Sequence, residues 1–493
     1  MTASVPGETR VATLMALNTS ETEPLYRQLR SALTQTIESG EFSGGELLPS
    51  SRALANELGL SRNTVNSAYQ EMVAEGFLDS IDRVGYIVNR DLHLHLSNVA
   101  EDVPRARDKI DWNERFTYLA DPLGEISKPF NWGEYPYPFV VGQPRAESFP
   151  IRAWHRAMRN ALGREHQGPS LHDLVDRDDP LLVDQICRTI LPSRGIRAEK
   201  SEVLVTMGSQ HGIHLVARAL LGDRSLVGVE DPGYPDARHI FRRQGAALAP
   251  LAVDDHGLLI PTEMPNLDLM FVTPSHQYPT NVTMAVGRRQ QLLKRAEEDN
   301  YLIVEDDYDS EFRYQGTPTP ALKASDDTGR VIYVGSFSQF LAPGLRLGFI
   351  VGEARLIEHL RELRRYMLRH PPGIIQRSAA LMMESGDYVR ALRRRRKALK
   401  ARWETITAAV ADCLPWDTSV PTGGVSLWVT GPEWLDAVDL ADRALTVGVV
   451  IESGDVCFLE SPPPRNHFRL GFSGIEHDSI RPGIERLASL IEH

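Results

Sequence analysis

Four short polar segments hold the side chains of this 493-residue chain that are best suited to chemistry. Thr206-Met207-Gly208-Ser209-Gln210 precedes a helical stretch, so its amides and hydroxyl could cradle a phosphate at a helix N-terminus. Asp231-Pro232-Gly233-Tyr234-Pro235 follows an apolar run and offers the Tyr234 ring for stacking. In the string Tyr301 to Phe312, a buried-strand pattern ends in the carboxylates Glu305, Asp306 and Asp307, with Tyr308 next. The fourth segment runs from Gly335 to Gly348 and carries Ser336, Ser338 and Arg346. A guanidinium beside two hydroxyls suits a phosphate, which it can meet with two parallel hydrogen bonds. In the middle of that segment stands Gln339. Its carboxamide nitrogen is delocalised into the carbonyl and cannot condense with an aldehyde as an amine does.

Such groups need a scaffold that brings distant segments together. Apolar runs at Leu226–Glu230, Leu267–Pro274, Tyr301–Asp307 and Val331–Ser336 recur roughly every 30–40 residues, the repeat of βαβ units feeding a mostly parallel sheet. Ligands of such sheets sit beyond the carboxyl ends of the strands, where all four polar segments fall. Each segment alone reads as a turn or a strand end. Their order, with 33 residues from Asp306 to Gln339, is far more specific.

From residue 129 to 493 the chain resembles fold-type I aminotransferases, pyridoxal-phosphate (PLP) proteins of α/β architecture. The resemblance implies that Ser209, Gln210, Ser336, Ser338 and Arg346 surround the phosphate and that Tyr234 stacks on the pyridine. It also implies that Asp306 pairs with the pyridinium nitrogen, that Tyr308 meets the 3′-oxygen, and that Arg469 in Phe468–Ser473 binds a ligand carboxylate. In that family a lysine occupies the position of Gln339. Other departures surround it: Asp178-Asp179-Pro180-Leu181-Leu182-Val183 replaces a Gly-x-x-x-Leu-Arg segment, and Thr273 to Asn281 ends in Asn where Gly is usual. No other lysine lies in a matching motif. The expectation is natural drift away from covalent PLP, with the cofactor held non-covalently at most and no catalytic residue.

Residues 22–90 make a different unit. Leu25, Leu29, Leu33 and Ile37 have helical spacing, and Gly44-Gly45 ends the pattern. Ser50 or Ser51 can cap a short helix that Gly59 stops, and Ser61 a second one ending at Gly76. Val65, Ala68, Tyr69, Met72 and Val73 form one apolar face of that second helix. Arg52, Ser61, Arg62, Asn63, Thr64 and Asn66 are the candidate DNA contacts, since Arg and Asn read guanine and adenine edges bidentately. Phe77-Leu78 and Tyr86-Ile87-Val88 read as a two-stranded wing. The string Leu48 to Gly76 closely resembles the winged helix-turn-helix of GntR-type regulators, a small α+β domain. The union of the two halves resembles the MocR subfamily, in which the enzyme fold serves as a sensor. Residues 21–90 hold six Arg and Lys against ten Asp and Glu, a net of −4, so useful DNA affinity is expected to require a dimer.

Residues 91–128 lack periodicity and read as a linker; His93 and His95 have no accompanying cluster, so no metal is expected. A net charge of −12 excludes a generally polyanion-binding basic protein, and three unclustered cysteines argue against disulfides or zinc. No apolar run approaches a membrane span or a signal peptide, which fits a cytoplasmic protein. The basic run Arg393 to Lys397 lies in a helical pattern and reads first as a solvated face, with a secondary DNA contact as the alternative. The expected function is a homodimeric regulator that binds double-stranded DNA and senses a small-molecule effector. A PLP aminotransferase with an appended DNA-binding module, and a ligand-independent dimeric scaffold, are the competing readings.

Overall fold

The computed structural model describes residues 24–82, 84–90, 110–116, 126–317, 319–414, 416 and 420–491. Most of the connector, with His93 and His95, and the wing residue Arg83 lie outside these residues. The chain divides into two compact units, Met1–Leu119 and Ala120–His493.

In the first unit α1 (Leu25–Glu38), α2 (Ser51–Leu58) and α3 (Arg62–Ala74) precede the antiparallel strands β1 (Leu78–Ile81) and β2 (Gly85–Val88). The caps are those the sequence suggests. Ser50 accepts from the Ala53 N–H, Ser61 accepts from the Thr64 N–H, and Gly59 ends α2 at φ 66°. Leu29, Leu33, Ile37, Leu54, Val65, Ala68, Tyr69 and Met72 fill one core, and Val73 packs half-buried against it. The Tyr69 hydroxyl donates to the Pro49 carbonyl at 2.9 Å, fixing the start of α2 against α3. Losing an N-cap oxygen leaves a helix N–H without its partner. Ser50→Ala should therefore cost this unit about 1 kcal/mol, read as a lower unfolding midpoint in urea.

The second unit is built on an eight-stranded sheet. Its strands are β3 (Val203–Thr206), β4 (Leu226–Asp231), β5 (Ala247–Asp254), β6 (Gly257–Leu258), β7 (Leu269–Val272), β8 (Leu302–Asp307), β9 (Val331–Ser336) and β10 (Gly348–Val351). They lie in the order β3-β10-β9-β8-β7-β4-β5-β6. The pairs β9–β8, β8–β7, β7–β4 and β4–β5 are parallel, while β10 runs antiparallel to both β9 and β3. The sequence reading located β4, β7, β8 and β9 but not β3, β5 or β10.

Helices α4 (Ile151–Ala161), α5 (Pro180–Gln185), α6 (Ser209–Leu220), α7 (Pro235–Arg243), α8 (Val286–Glu298), α9 (Ala354–Leu368) and α10 (Gly373–Glu384) accompany the sheet. The 27-residue α11 (Asp387–Cys413) leads to a three-stranded antiparallel sheet of β11 (Ser426–Thr430), β12 (Glu452–Ser453) and β13 (His467–Gly471). Strands β3, β7, β9 and β10 are buried at every position, as expected where a parallel sheet is covered on both faces. Because β10 is the only reversed strand between β3 and β9, the strands β3, β4, β7, β8 and β9 all end at one edge. Everything polar that the sequence singled out in this unit from β3 to Arg346 emerges there.

Candidate functional site

Register decides which carboxylate can reach a ligand. Val334 of β9 lies beside Asp306 of β8, and Gly335 beside Asp307, so the loop carrying Gln339 leaves the sheet next to these acids. Successive strand residues face opposite sides. Asp307 accepts from Arg194 Nε at 2.7 Å and from the Tyr333 hydroxyl at 2.7 Å. Glu305 accepts the backbone N–H groups of Leu322 and Lys323 at 2.7 and 2.8 Å. Both are committed to structure. Asp306 is not: it is 4% exposed and its Oδ1 has no hydrogen-bond partner among the described residues. Burial, with Asp307 and Asp309 nearby, pushes its carboxyl up to about 8.

Three further polar atoms that the sequence singled out are also buried. Among the described residues the Tyr308 hydroxyl and the Gln339 Oε1 have no partner, and the Tyr308 hydroxyl is held far above its ordinary value, chiefly by burial. Arg469 is 2% exposed on β13; its Nη1 donates to the Tyr278 hydroxyl at 2.7 Å, and its Nε has no partner among the described residues. The guanidinium carbon sits 4.2 Å from the Tyr278 ring centre, and that ring meets Tyr234 edge-on at 5.0 Å. A Cβ on Gly142 would lie 3.5 Å from Gln339 Nε2, so residue 142 passes close to the carboxamide.

Donors suited to an anion gather where β3 turns into α6. Gly208 has φ 80°, and a Cβ there would meet Arg346 Nη2 at 3.0 Å. Arg346, itself left-handed at φ 47°, donates to the Met207 carbonyl at 3.3 Å. Ser209 opens α6, whose first-turn N–H groups have no intrahelical acceptor. Ser336 Oγ accepts the Ser338 N–H at 3.1 Å. Gln210 differs from the expectation in its side chain, which donates to Asp236 at 3.0 Å; the Tyr234 hydroxyl donates to the same carboxylate at 3.0 Å. What Gln210 leaves for an anion is its backbone N–H.

The donor set fits PLP. Backbone N–H groups and Arg346 suit the phosphate, Tyr234 offers a ring, Asp306 suits a protonated ring nitrogen and Tyr308 a phenolic oxygen.

Sequence reasoning missed Tyr278, Asp236 and Glu452. Glu452 is 2% exposed, accepts the Val141 N–H at 3.2 Å, and stands 3.7 Å from both Arg469 and Lys128. Tyr278 lay inside a quoted motif. Asp236 was visible as the acid in the first turn after Tyr234, but Glu452 comes from a two-residue strand with no motif of its own.

The two departures in sequence have structural reasons. Asp178 is the shared partner of Arg361 and the fully buried Arg364, and Asp179 caps α5 while pairing with Arg377 at 2.7 Å. Asn281 has φ 61°, a conformation that Asn tolerates next after Gly, and its side chain donates to the Ser426 carbonyl at 2.9 Å. Among the described residues no group of His, Cys, Asp and Glu could hold a metal, and no helix is long and apolar enough to cross a membrane.

In the first unit Arg52, Ser61, Arg62 and Asn63 are exposed, with Thr64 and Asn66 half-buried. The Ser61 and Thr64 hydroxyls hydrogen-bond each other at 2.8 Å, so both serve the cap.

Residues 128–487 match the family described as aminotransferase class I and II, and residues 25–88 match the bacterial regulatory proteins of the gntR family. The first unit is thus a GntR helix-turn-helix domain and the second a fold-type I aminotransferase domain. The chain is 41% identical to the HTH-type transcriptional regulator TauR of Rhodobacter capsulatus over 94% of its own length and 96% of the relative's. It is 30% identical to the probable rhizopine catabolism regulatory protein MocR of Rhizobium meliloti, over 97% and 95% of the two chains. The crystal structure of kynurenine aminotransferase from Pyrococcus horikoshii superposes with a TM-score of 0.70 at 26% identity, covering 77% of this chain and 98% of that one. The chain belongs to the MocR/TauR-type family of HTH transcriptional regulators, and its function at that level is DNA-binding regulation.

Proposed function

We propose that the second unit senses a small ligand without transaminating it, and that this ligand is PLP, held non-covalently, or its amino-acid adduct. The observation that carries the reading is Gln339, in the loop that leaves the sheet beside the strand carrying Asp306, in a chain that otherwise keeps the PLP donor set. PLP supplies an aldehyde, and transamination needs an enzyme amine both to hold that carbon and to shuttle the proton. Gln339 offers neither. Asp306 would hold the ring nitrogen, Arg346 and the first turn of α6 the phosphate, Tyr234 the ring face, and Arg469 a ligand carboxylate. Absorbance of the protein titrated with PLP, with and without amino acids, tests this. A shift that dialysis removes supports a sensor. A band fixed by borohydride would support an enzyme, and silence a scaffold with a vestigial pocket.

The first unit would read duplex DNA through α3. Arg62→Ala should weaken binding to the region upstream of its own gene by about 1–3 kcal/mol if Arg62 reads a base edge. Unchanged gel-shift affinity in a double Arg52→Ala, Arg62→Ala variant would sink α3 as the reader.

Assembly follows from the charge of the DNA-binding unit. With a net of −4 over residues 21–90, two heads are needed for useful affinity, so the protein should sediment as a homodimer and remain one when residues 1–90 are deleted. A monodisperse monomer at micromolar concentration would count against this.

A further inference from the structure

Helix α11 carries a charge distribution that the sensor role does not use. Residues 388–403 hold eight Arg and Lys and no Asp or Glu. Two of the eight turn inward: Arg395, 7% exposed, donates to the Phe340 carbonyl at 2.6 Å, and Arg402 donates to the Ser473 carbonyl at 2.9 Å. The burial of Arg395 departs from the solvated face expected for the whole run. Arg390, Arg393, Arg394, Arg396, Lys397 and Lys400 are exposed. Arg390–Arg394, Arg393–Lys397 and Arg396–Lys400 are like-charge pairs four residues apart, an arrangement that destabilises a helix in isolation. A helix face that serves only solubility intersperses the two signs.

A second cationic helix adjoins this stretch of α11. α4 exposes Arg152, Arg156 and Arg159 and contains no Asp or Glu. Arg156 and Arg390 share the Asp387 carboxylate at 2.9 and 2.8 Å, so the outer side of α4 meets the start of α11. Beyond Asp387, the nearest acid along α11 is Glu404, 3.8 Å from Lys400. A chain with a net charge of −12 thus concentrates positive charge on one face of its larger unit.

We propose that this face of α4 and α11 is a second DNA-binding surface, which grips the duplex phosphate backbone without reading sequence. The proposal rests on the reading of the chain as a DNA-binding regulator. It supplies what the reading head lacks. Phosphate neutralisation provides most non-specific affinity, and a helix-turn-helix unit with more acids than bases supplies little of it. Arginine-rich helix faces suit phosphate oxygens, which a guanidinium meets with two hydrogen bonds.

The test uses the full-length protein and fluorescein-labelled duplexes of arbitrary sequence, 60 and 20 base pairs long, with anisotropy followed across a salt series. Arg393→Ser, Arg394→Ser and Lys397→Ser together should weaken binding to the 60-base-pair duplex roughly tenfold. They should also reduce the slope of log affinity against log salt by about two to three, near 0.9 for each phosphate that is no longer neutralised. Arg393→Lys and Arg394→Lys together should preserve the slope, which separates charge from packing. An unchanged thermal unfolding midpoint checks that the surface variant is folded.

If wild-type protein binds DNA and the serine variant matches it in affinity and slope, this surface is wrong and the regulator reading stands. If wild-type protein binds no duplex at either length, the regulator reading itself falls. Loss of binding to anionic vesicles with no loss on DNA would overturn the assignment in favour of a membrane surface.

Discussion

A Gln339→Lys variant mixed with PLP is expected to acquire a visible absorbance band that survives dialysis and is fixed by borohydride, whereas wild-type protein should release PLP completely. The substitution replaces a carboxamide whose Oε1 is buried without a partner, so it removes an unsatisfied acceptor as well as adding an amine. Residue 142, which passes the carboxamide, is a glycine, and a Cβ there would lie 3.5 Å from Gln339 Nε2. The groups that would orient the ring are independent of position 339: Asp306 and Tyr308 come from the end of β8, and Arg346 stands beside Gly208. A covalent carbon–nitrogen link should convert weak, reversible retention into stoichiometric retention. Neither band nor retention in the variant would mean that the pocket has drifted beyond PLP, and that the domain senses another molecule or nothing.

The sequence made some of this legible for identifiable reasons. Cap residues and an apolar stripe are local, so α2, α3 and the turn between them could be placed from Ser50, Gly59 and Ser61 alone. Strands β4, β7, β8 and β9 announce themselves as short apolar runs ending in polar residues. β10 does not, because Gly348–Val351 merges with the loop before it, and its antiparallel pairing to β3 is a long-range fact. The division of labour within Glu305-Asp306-Asp307 was equally hidden. Adjacent acids look alike until register turns Asp307 toward Arg194, which is 113 residues distant in the chain. Glu452 was unreadable for the same reason: its position beside Arg469 is a cross-strand pairing between β12 and β13.

That division of labour predicts opposite behaviour for two neighbouring acids. In the unfolded chain Asp306 ionises near its ordinary 3.8, whereas in the fold, buried with other acids nearby, it keeps its proton up to about 8. Between those values the native state binds more protons than the unfolded state, so this group lowers stability as pH rises from about 4 to 8. Asp306→Asn should remove that decline, on the order of a few kcal/mol, and leave the variant more stable than wild type at pH 8. Glu230 and Glu305, each pushed up to about 7 mainly by burial, contribute slopes of the same sign that the substitution leaves in place. The difference between the two proteins therefore isolates Asp306. PLP should flatten the wild-type profile too, by supplying a protonated ring nitrogen in place of the acid's own proton, and should do nothing for the Asn variant.

Asp307 differs in sign. Burial alone would raise it, but Arg194 and the Tyr333 hydroxyl hold it below its ordinary value. Asp307→Ala strands Arg194, 6% exposed, with the Ser275 hydroxyl and the Thr319 carbonyl left to accept from it among the described residues. The expected loss is about 3–5 kcal/mol near neutral pH, read from urea unfolding of the larger unit. If Asp306→Asn were the destabilising change and Asp307→Ala the mild one, the two acids would have exchanged roles. Asp306 could then no longer be the group that holds the ring nitrogen.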